Sequence, residues 1–160
     1  MSKPKIYLET TIFNFPFVED APQLRADTIK LFEEIKTGKY EPYTSIYALE
    51  ELENTVQVDK LEKMKGLIEA YNITVIPVSE EAERLAALYL AEGTINKKYM
   101  TDAYHIAIST VYDLDFIVSL NFQHIVKQKT IRETAGINKR EGYKQIGIYE
   151  PAEVINGKDS

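Results

Sequence analysis

The chain has 160 residues, 44% of them apolar and 28% charged, a net charge of −6 and no cysteine. That length reads as one domain, residues 1–160, large enough to bury roughly 70% of its unfolded surface. The missing cysteines exclude disulfides and thiolate zinc sites and fit a reducing cytoplasm, no apolar run suits a signal peptide or a membrane span, and the negative charge argues against nonspecific binding of polyanions.

"KIYLE" (5–9) reads as a first, central strand, and Pro16 in the "TTIFNFPF" that follows breaks any early helix. "QLRADTIKLFEEIKTGKY" has its apolar residues on one helical face and stops at Gly38. A helix then begins after Pro42-Tyr43, with Thr44 or Ser45 as N-cap, and a second helix covers about 58–71. "ITVIPV" (73–78) is a β-branched strand, and Ser79 caps the next helix, which ends at Gly93. Thr101 is expected to cap the helix "TDAYHIAIST". "DFIVSL" (115–120) is a buried strand, a helix near 124–135 ends at Gly136, and "QIGIYEP" and "PAEVI" supply a last strand and a turn of helix. Strands alternating with helices imply an α/β fold around a parallel sheet. Ligands of such sheets bind beyond the carboxyl ends of the strands, which directs attention to Glu9, Thr10 and Asn121.

The helix after Thr101 is apolar on most sides yet carries a polar seam. Asp102, His105, Ser109 and Asp113 fall within about a quarter-turn of one another. Asp102 sits in the first turn, where the helix dipole favours an ionised carboxylate. Glu9 ends a buried strand, an unusual place for an acid. Glu50, Glu51 and Glu53 share one helix, and Glu51 lies opposite its apolar stripe, as a solvated residue would. Carboxylates gathered at one sheet edge repel one another unless a cation neutralises them. Oxygen-only ligands suit Mg²⁺ or Mn²⁺ rather than zinc.

"KIYLETTIFNF", "TSIYALEELEN", "TDAYHIAIST" and "DFIVSLNFQHI" follow one another at spacings that resemble a PIN-domain protein. The likeness is closest to the VapC-like nucleases of bacterial and archaeal toxin–antitoxin systems. It covers roughly residues 4–155, and "DAYHIAISTVYDLDFIVSLNFQHI" is its most specific part. The resemblance implies a three-layer α/β/α fold with a mostly parallel central sheet, and a metal-dependent ribonuclease. Glu9 stands at the first acid, most often Asp in the family. Thr10 is the small hydroxyl residue beside it. Glu51 is the helix-borne second acid, with Glu50 as the fallback, and Asp102 is the third. Asn121 stands where many members have a fourth acid, which removes one negative charge from the site.

On that resemblance Glu9, Glu51 and Asp102 hold Mg²⁺ or Mn²⁺, Asn121 orients the attacking water or binds a metal-bound water, and Thr10 fixes the rotamer of an acid. His105 is expected as a structural hydrogen-bonding residue rather than a ligand, and His124 as a neighbour of the scissile phosphate. Residues 121–145 hold six cations against Glu133 and Glu141, a local +4 that leaves −10 elsewhere. Of these, Lys127, Lys129 and Arg132 are the candidates for the RNA backbone. The expected partners are an RNA substrate, a cognate antitoxin and a second copy of the chain. The competing readings are a non-catalytic PIN-like binding module, and a small α/β enzyme using acid/base chemistry without metal.

Overall fold

Five short strands and eight helices alternate along residues 3–157, which the computed structural model describes. In chain order they are β1 (Lys5–Leu8), α1 (Thr10–Asn14), α2 (Pro22–Lys36), β2 (Glu41–Ser45), α3 (Ile46–Leu52), α4 (Val58–Ala70), β3 (Thr74–Ile76), α5 (Glu80–Ala91), α6 (Met100–Val111), β4 (Phe116–Val118), α7 (Gln128–Arg140), β5 (Gly147–Tyr149) and α8 (Pro151–Ile155). Single 3₁₀ turns lie at Phe15–Phe17 and Lys97–Tyr99. The sheet runs β3-β2-β1-β4-β5 and every pair is parallel. Among the described residues no helix is long and apolar enough to cross a membrane.

Strand alternation builds the layers. Along β1, Ile6 and Leu8 point to one face and Tyr7 to the other, and all three are wholly buried. Ile6 and Leu8 join Phe13, Leu31, Phe32, Met64 and Val154, so α1, α2, α4 and α8 cover that side. Tyr7 and Ile117 join Leu85, Tyr89, Ile106, Ala107 and Ile137, so α5, α6 and α7 cover the other. The result is the α/β/α sandwich that the sequence implies, with a sheet that is parallel throughout.

The strand order also creates the site. From β1 the chain steps outward through β2 to β3, then returns to the opposite side of β1 for β4 and β5. That reversal opens a crevice at the carboxyl ends of β1 and β4. Glu9 follows β1 directly, and Ser119 and Asn121 follow β4.

Several local expectations need correction. The segment 41–45, read as a lead-in to a helix, is the strand β2. Pro42 is tolerated there because β3 begins opposite Tyr43, so the side on which Pro42 lacks an N–H has no strand to pair with. Pro16 does not prevent a first helix; α1 forms before it, capped by Glu9. Thr101 lies inside α6, whose N-cap is Tyr99. The helix placed near 124–135 begins at Gln128 and runs through Gly136 to Arg140. Buried Thr130, Thr134, Ile137 and Asn138 hold it past the glycine. Asp113, counted on the polar seam, lies beyond α6 in a left-handed conformation with φ 63°.

Candidate metal centre

Glu9 is a carboxylate built into the sheet edge. Its backbone N–H donates to Val118 O across the β1–β4 pair at 3.1 Å. Its side chain, 2% exposed, turns back to cap α1. Three donors meet Oε1: the Thr11 hydroxyl at 2.6 Å, the Ser119 hydroxyl at 2.7 Å and the Thr11 N–H at 3.2 Å. Oε2 is left free among the described residues. The two hydroxyls are themselves fixed, because Thr11 Oγ1 accepts from Leu120 N at 2.8 Å and Ser119 Oγ from Asn121 N at 2.9 Å. Hydroxyls from both sides of the crevice thus orient one oxygen and leave the other for a ligand.

Glu51 arrives from α3, whose N-cap Ser45 ends β2. Its Oε1 meets His105 Nε2 at 2.6 Å and also accepts the Thr10 hydroxyl. Burial works to raise the Glu51 pKa, but the hydrogen bond and charge of His105, helped by Thr10, bring it below the ordinary carboxylate value. Glu50 is exposed, and it is Glu51 that joins Glu9 and His105. Glu53 is also exposed and pairs with Lys65.

His105 is wholly buried. Burial pushes its pKa down, yet Glu51 first, then Glu9 and Asp102, raise it above the usual imidazole value. Its Nδ1 lies 2.5 Å from the Tyr7 hydroxyl, which lies 2.6 Å from Ser45 Oγ, and Ser45 Oγ accepts the Ala48 N–H at 3.3 Å. This chain satisfies both states of the imidazole. A neutral ring donates from Nε2 to Glu51 and accepts from Tyr7 while Ser45 donates to Tyr7. A charged ring donates to both Glu51 and Tyr7, and Tyr7 donates to Ser45. Burial raises the Tyr7 pKa well above its ordinary value, so the phenol stays protonated.

Asp102, in the first turn of α6, lies outside the trio Glu9, Glu51 and His105 whose ligand atoms come within 4.8 Å of one another. It is 8% exposed, and no donor among the described residues meets its carboxylate. Burial pushes its pKa from 3.8 up to about 6; Glu9 and Glu51 add to the rise, while His105 and His124 oppose it. The rise that Glu9 and Glu51 add is the effect of neighbouring like charges, which a cation would relieve.

Glu9, Glu51 and His105 each offer a ligand atom within 4.8 Å of the others, so this buried group has the geometry to hold a metal ion. The two carboxylates keep a free oxygen each. Both ring nitrogens of His105 are engaged in hydrogen bonds, Nε2 with Glu51 and Nδ1 with Tyr7.

The other expected residues are placed as follows. Thr10 reaches Glu51 rather than Glu9. Asn121 commits Oδ1 to His124 N at 3.0 Å, and its backbone carbonyl accepts from Ile125 and Val126, so it organises the turn 121–127 and keeps only its amide donors. Lys127 and Lys129 border a cavity of about 580 Å³ together with Tyr99 and His124, and Lys129 donates to Gly93 O at 2.9 Å. Arg132 is exposed on α7 and is not among the residues lining this cavity. Sequence reasoning missed Tyr7, Thr11 and Ser119 and took Ser45 only as a cap. Their one visible signal is a hydroxyl at or just beyond a strand's carboxyl end. Neither the protein-family models nor the curated proteins give a match to this sequence.

Proposed function

We propose that the chain is a Mg²⁺- or Mn²⁺-dependent ribonuclease of the PIN type, acting as the toxin of a toxin–antitoxin pair in the cytoplasm. The observation that carries the reading is the group Glu9, Glu51 and His105 at the sheet's switch point, with ligand atoms within 4.8 Å of one another and Asp102 near enough for both acids to raise its pKa. The order and spacing of the motifs around these acids, which resemble VapC-like nucleases, support the choice of RNA. The same resemblance supports a cognate antitoxin that covers the groove and a homodimer.

Glu9 and Glu51, with Asp102 beside them, would hold a divalent cation, which would supply a water of lowered pKa and neutralise charge on the phosphate. The protein's own residues prepare the place. Thr11 and Ser119 fix Glu9, and Thr10 and His105 fix Glu51. Tyr7 and Ser45 hold His105 from behind. In this reading the amide of Asn121 orients the water and Lys127 holds the RNA backbone. Phosphate contacts of this kind position a strand without reading its sequence.

The test is a calorimetric Mn²⁺ titration of the wild type and Asp102→Asn, followed by RNA cleavage with and without EDTA. The reading expects saturable Mn²⁺ binding that the substitution removes, and cleavage that EDTA and the substitution both abolish. Cleavage that persists in EDTA points to acid/base chemistry without metal. Absence of both binding and cleavage leaves a PIN-like module that binds RNA or protein without cutting.

A further inference from the structure

The cavity bordered by Tyr99 and His124 has a volume of about 580 Å³, ample for a nucleotide. Lys97, Lys127 and Lys129 border it in a chain whose net charge is −6, a local reversal of sign. Tyr99 and His124 stand on the same wall, stacked with ring centroids 3.8 Å apart and planes 26° from parallel. Tyr99 remains 37% exposed. Tyr99 is the N-cap of α6, which carries Asp102 in its first turn, and His124 N donates to Asn121 just beyond β4, so this wall lies at the Asp102 end of the crevice. The catalytic reading accounts for a lysine here, but it assigns nothing to the paired rings.

We infer that the cavity takes one unpaired nucleotide of a single-stranded RNA, its base stacked on the Tyr99–His124 platform and its phosphate held by Lys97 and Lys127. The inference rests on the nuclease reading, since it specifies the form of strand presented to the three acids. An open aromatic face flanked by cations is how proteins take single strands, because every unpaired base offers a π-face and the backbone offers charge. A duplex keeps its bases stacked inside the helix, where a platform of this kind cannot reach them. Lys129, tied to Gly93 O, shapes the wall instead of holding phosphate. The Lys98 ammonium lies 6.0 Å from the Tyr99 centroid, a loose contact that yields to an incoming base.

The test titrates a fluorescein-labelled oligouridine hexamer and a blunt RNA duplex into the protein in EDTA, where a metal-dependent nuclease does not cut. The wild type is expected to bind the hexamer more tightly than the duplex. Tyr99→Ala should weaken hexamer binding about tenfold and Tyr99→Phe should restore it, since stacking needs the ring and not the hydroxyl. Lys127→Ala should weaken binding and flatten its salt dependence. A duplex bound as tightly as the hexamer, or Tyr99→Ala and Lys127→Ala both binding like the wild type, overturns the inference. Mn²⁺ calorimetry on the same preparations reads the acids separately. Tyr99-dependent hexamer binding without Mn²⁺ binding keeps this inference and removes the nuclease reading. Mn²⁺ binding without Tyr99-dependent hexamer binding does the reverse.

Discussion

Asp102→Asn is expected to stabilise the metal-free protein at pH 8 while abolishing its affinity for Mn²⁺. The wild-type carboxyl has its pKa raised from 3.8 to about 6, chiefly by burial. A raised carboxyl pKa means that the native state binds the proton more tightly than the unfolded chain. Stability therefore rises as pH falls from above 6 towards 3.8, and at pH 8 the ionised group is a burden. A shift of that size corresponds to at most about 3 kcal/mol. Residual solvent contact reduces it, and the dipole at the start of α6 returns about 0.3–1 kcal/mol to the charged form. A net gain of about 1–2 kcal/mol remains for the neutral isostere, or roughly 3–6 °C in Tm for a domain of this length. Thermal unfolding in EDTA at pH 8 and pH 4.5 measures it, and the difference should shrink at the lower pH, where the native wild type is already protonated. Mn²⁺ at a hundred times its Kd should add about 2.7 kcal/mol to the wild type alone and reverse the order. An Asp102→Asn protein less stable than wild type at pH 8 in EDTA would refute the reasoning. It would mean that the carboxylate serves the helix start rather than waiting, desolvated, for a cation.

Three further substitutions test how the acids are held. Glu51→Gln should lower the His105 pKa, read by NMR titration of the ring protons. His105, its pKa raised, contributes stability below pH 6.5 that is lost as pH climbs through its folded value, and Glu51, its pKa lowered, contributes above pH 4.5. The destabilisation, about 1–3 kcal/mol for a pair that is buried on one side only, should therefore peak between those two values and fade above them. Tyr7→Phe leaves His105 Nδ1 and Ser45 Oγ without their shared partner, which should cost about 1–3 kcal/mol by chemical denaturation. The same change should loosen Mn²⁺ binding about tenfold, and an unchanged Kd would deny the relay any part in orienting Glu51. Thr11→Val removes the hydroxyl that joins Glu9 to Leu120 N, and a similar tenfold loss of Mn²⁺ affinity is expected by calorimetry.

The elements most legible in the sequence are those whose residues speak for themselves. A β-branched run such as "ITVIPV", a Ser79 cap followed by acids, and the apolar bulk of α6 each locate an element without reference to the rest of the chain. Strand β2 was hidden because "EPYTS" has neither alternation nor an apolar run. It is a strand because β1 and β3 lie on either side of it, a fact of topology rather than composition. Gly136 misled for the opposite reason. It reads as a stop, but four buried positions of α7 outweigh the roughly 1 kcal/mol that an interior glycine costs.

The site divides along the same line. Glu9 and Asp102 are conspicuous because each is an acid where burial is expected, and strand-end and helix-start positions are readable in one dimension. Glu51 is not conspicuous, since on its own helix it occupies the face that solvent would take. It is drawn inward by His105 on α6, 54 residues along the chain, and no pattern within α3 can encode that partner. Tyr7 is still better concealed. As a strand residue it reads as core, and its ring is core; only its hydroxyl, set between Ser45 and His105, belongs to the site. A candidate metal centre of this kind is thus half visible in sequence. The charges that bind can be seen, whereas the neutral donors that aim them are ordinary serines, threonines and a tyrosine until the fold brings them together.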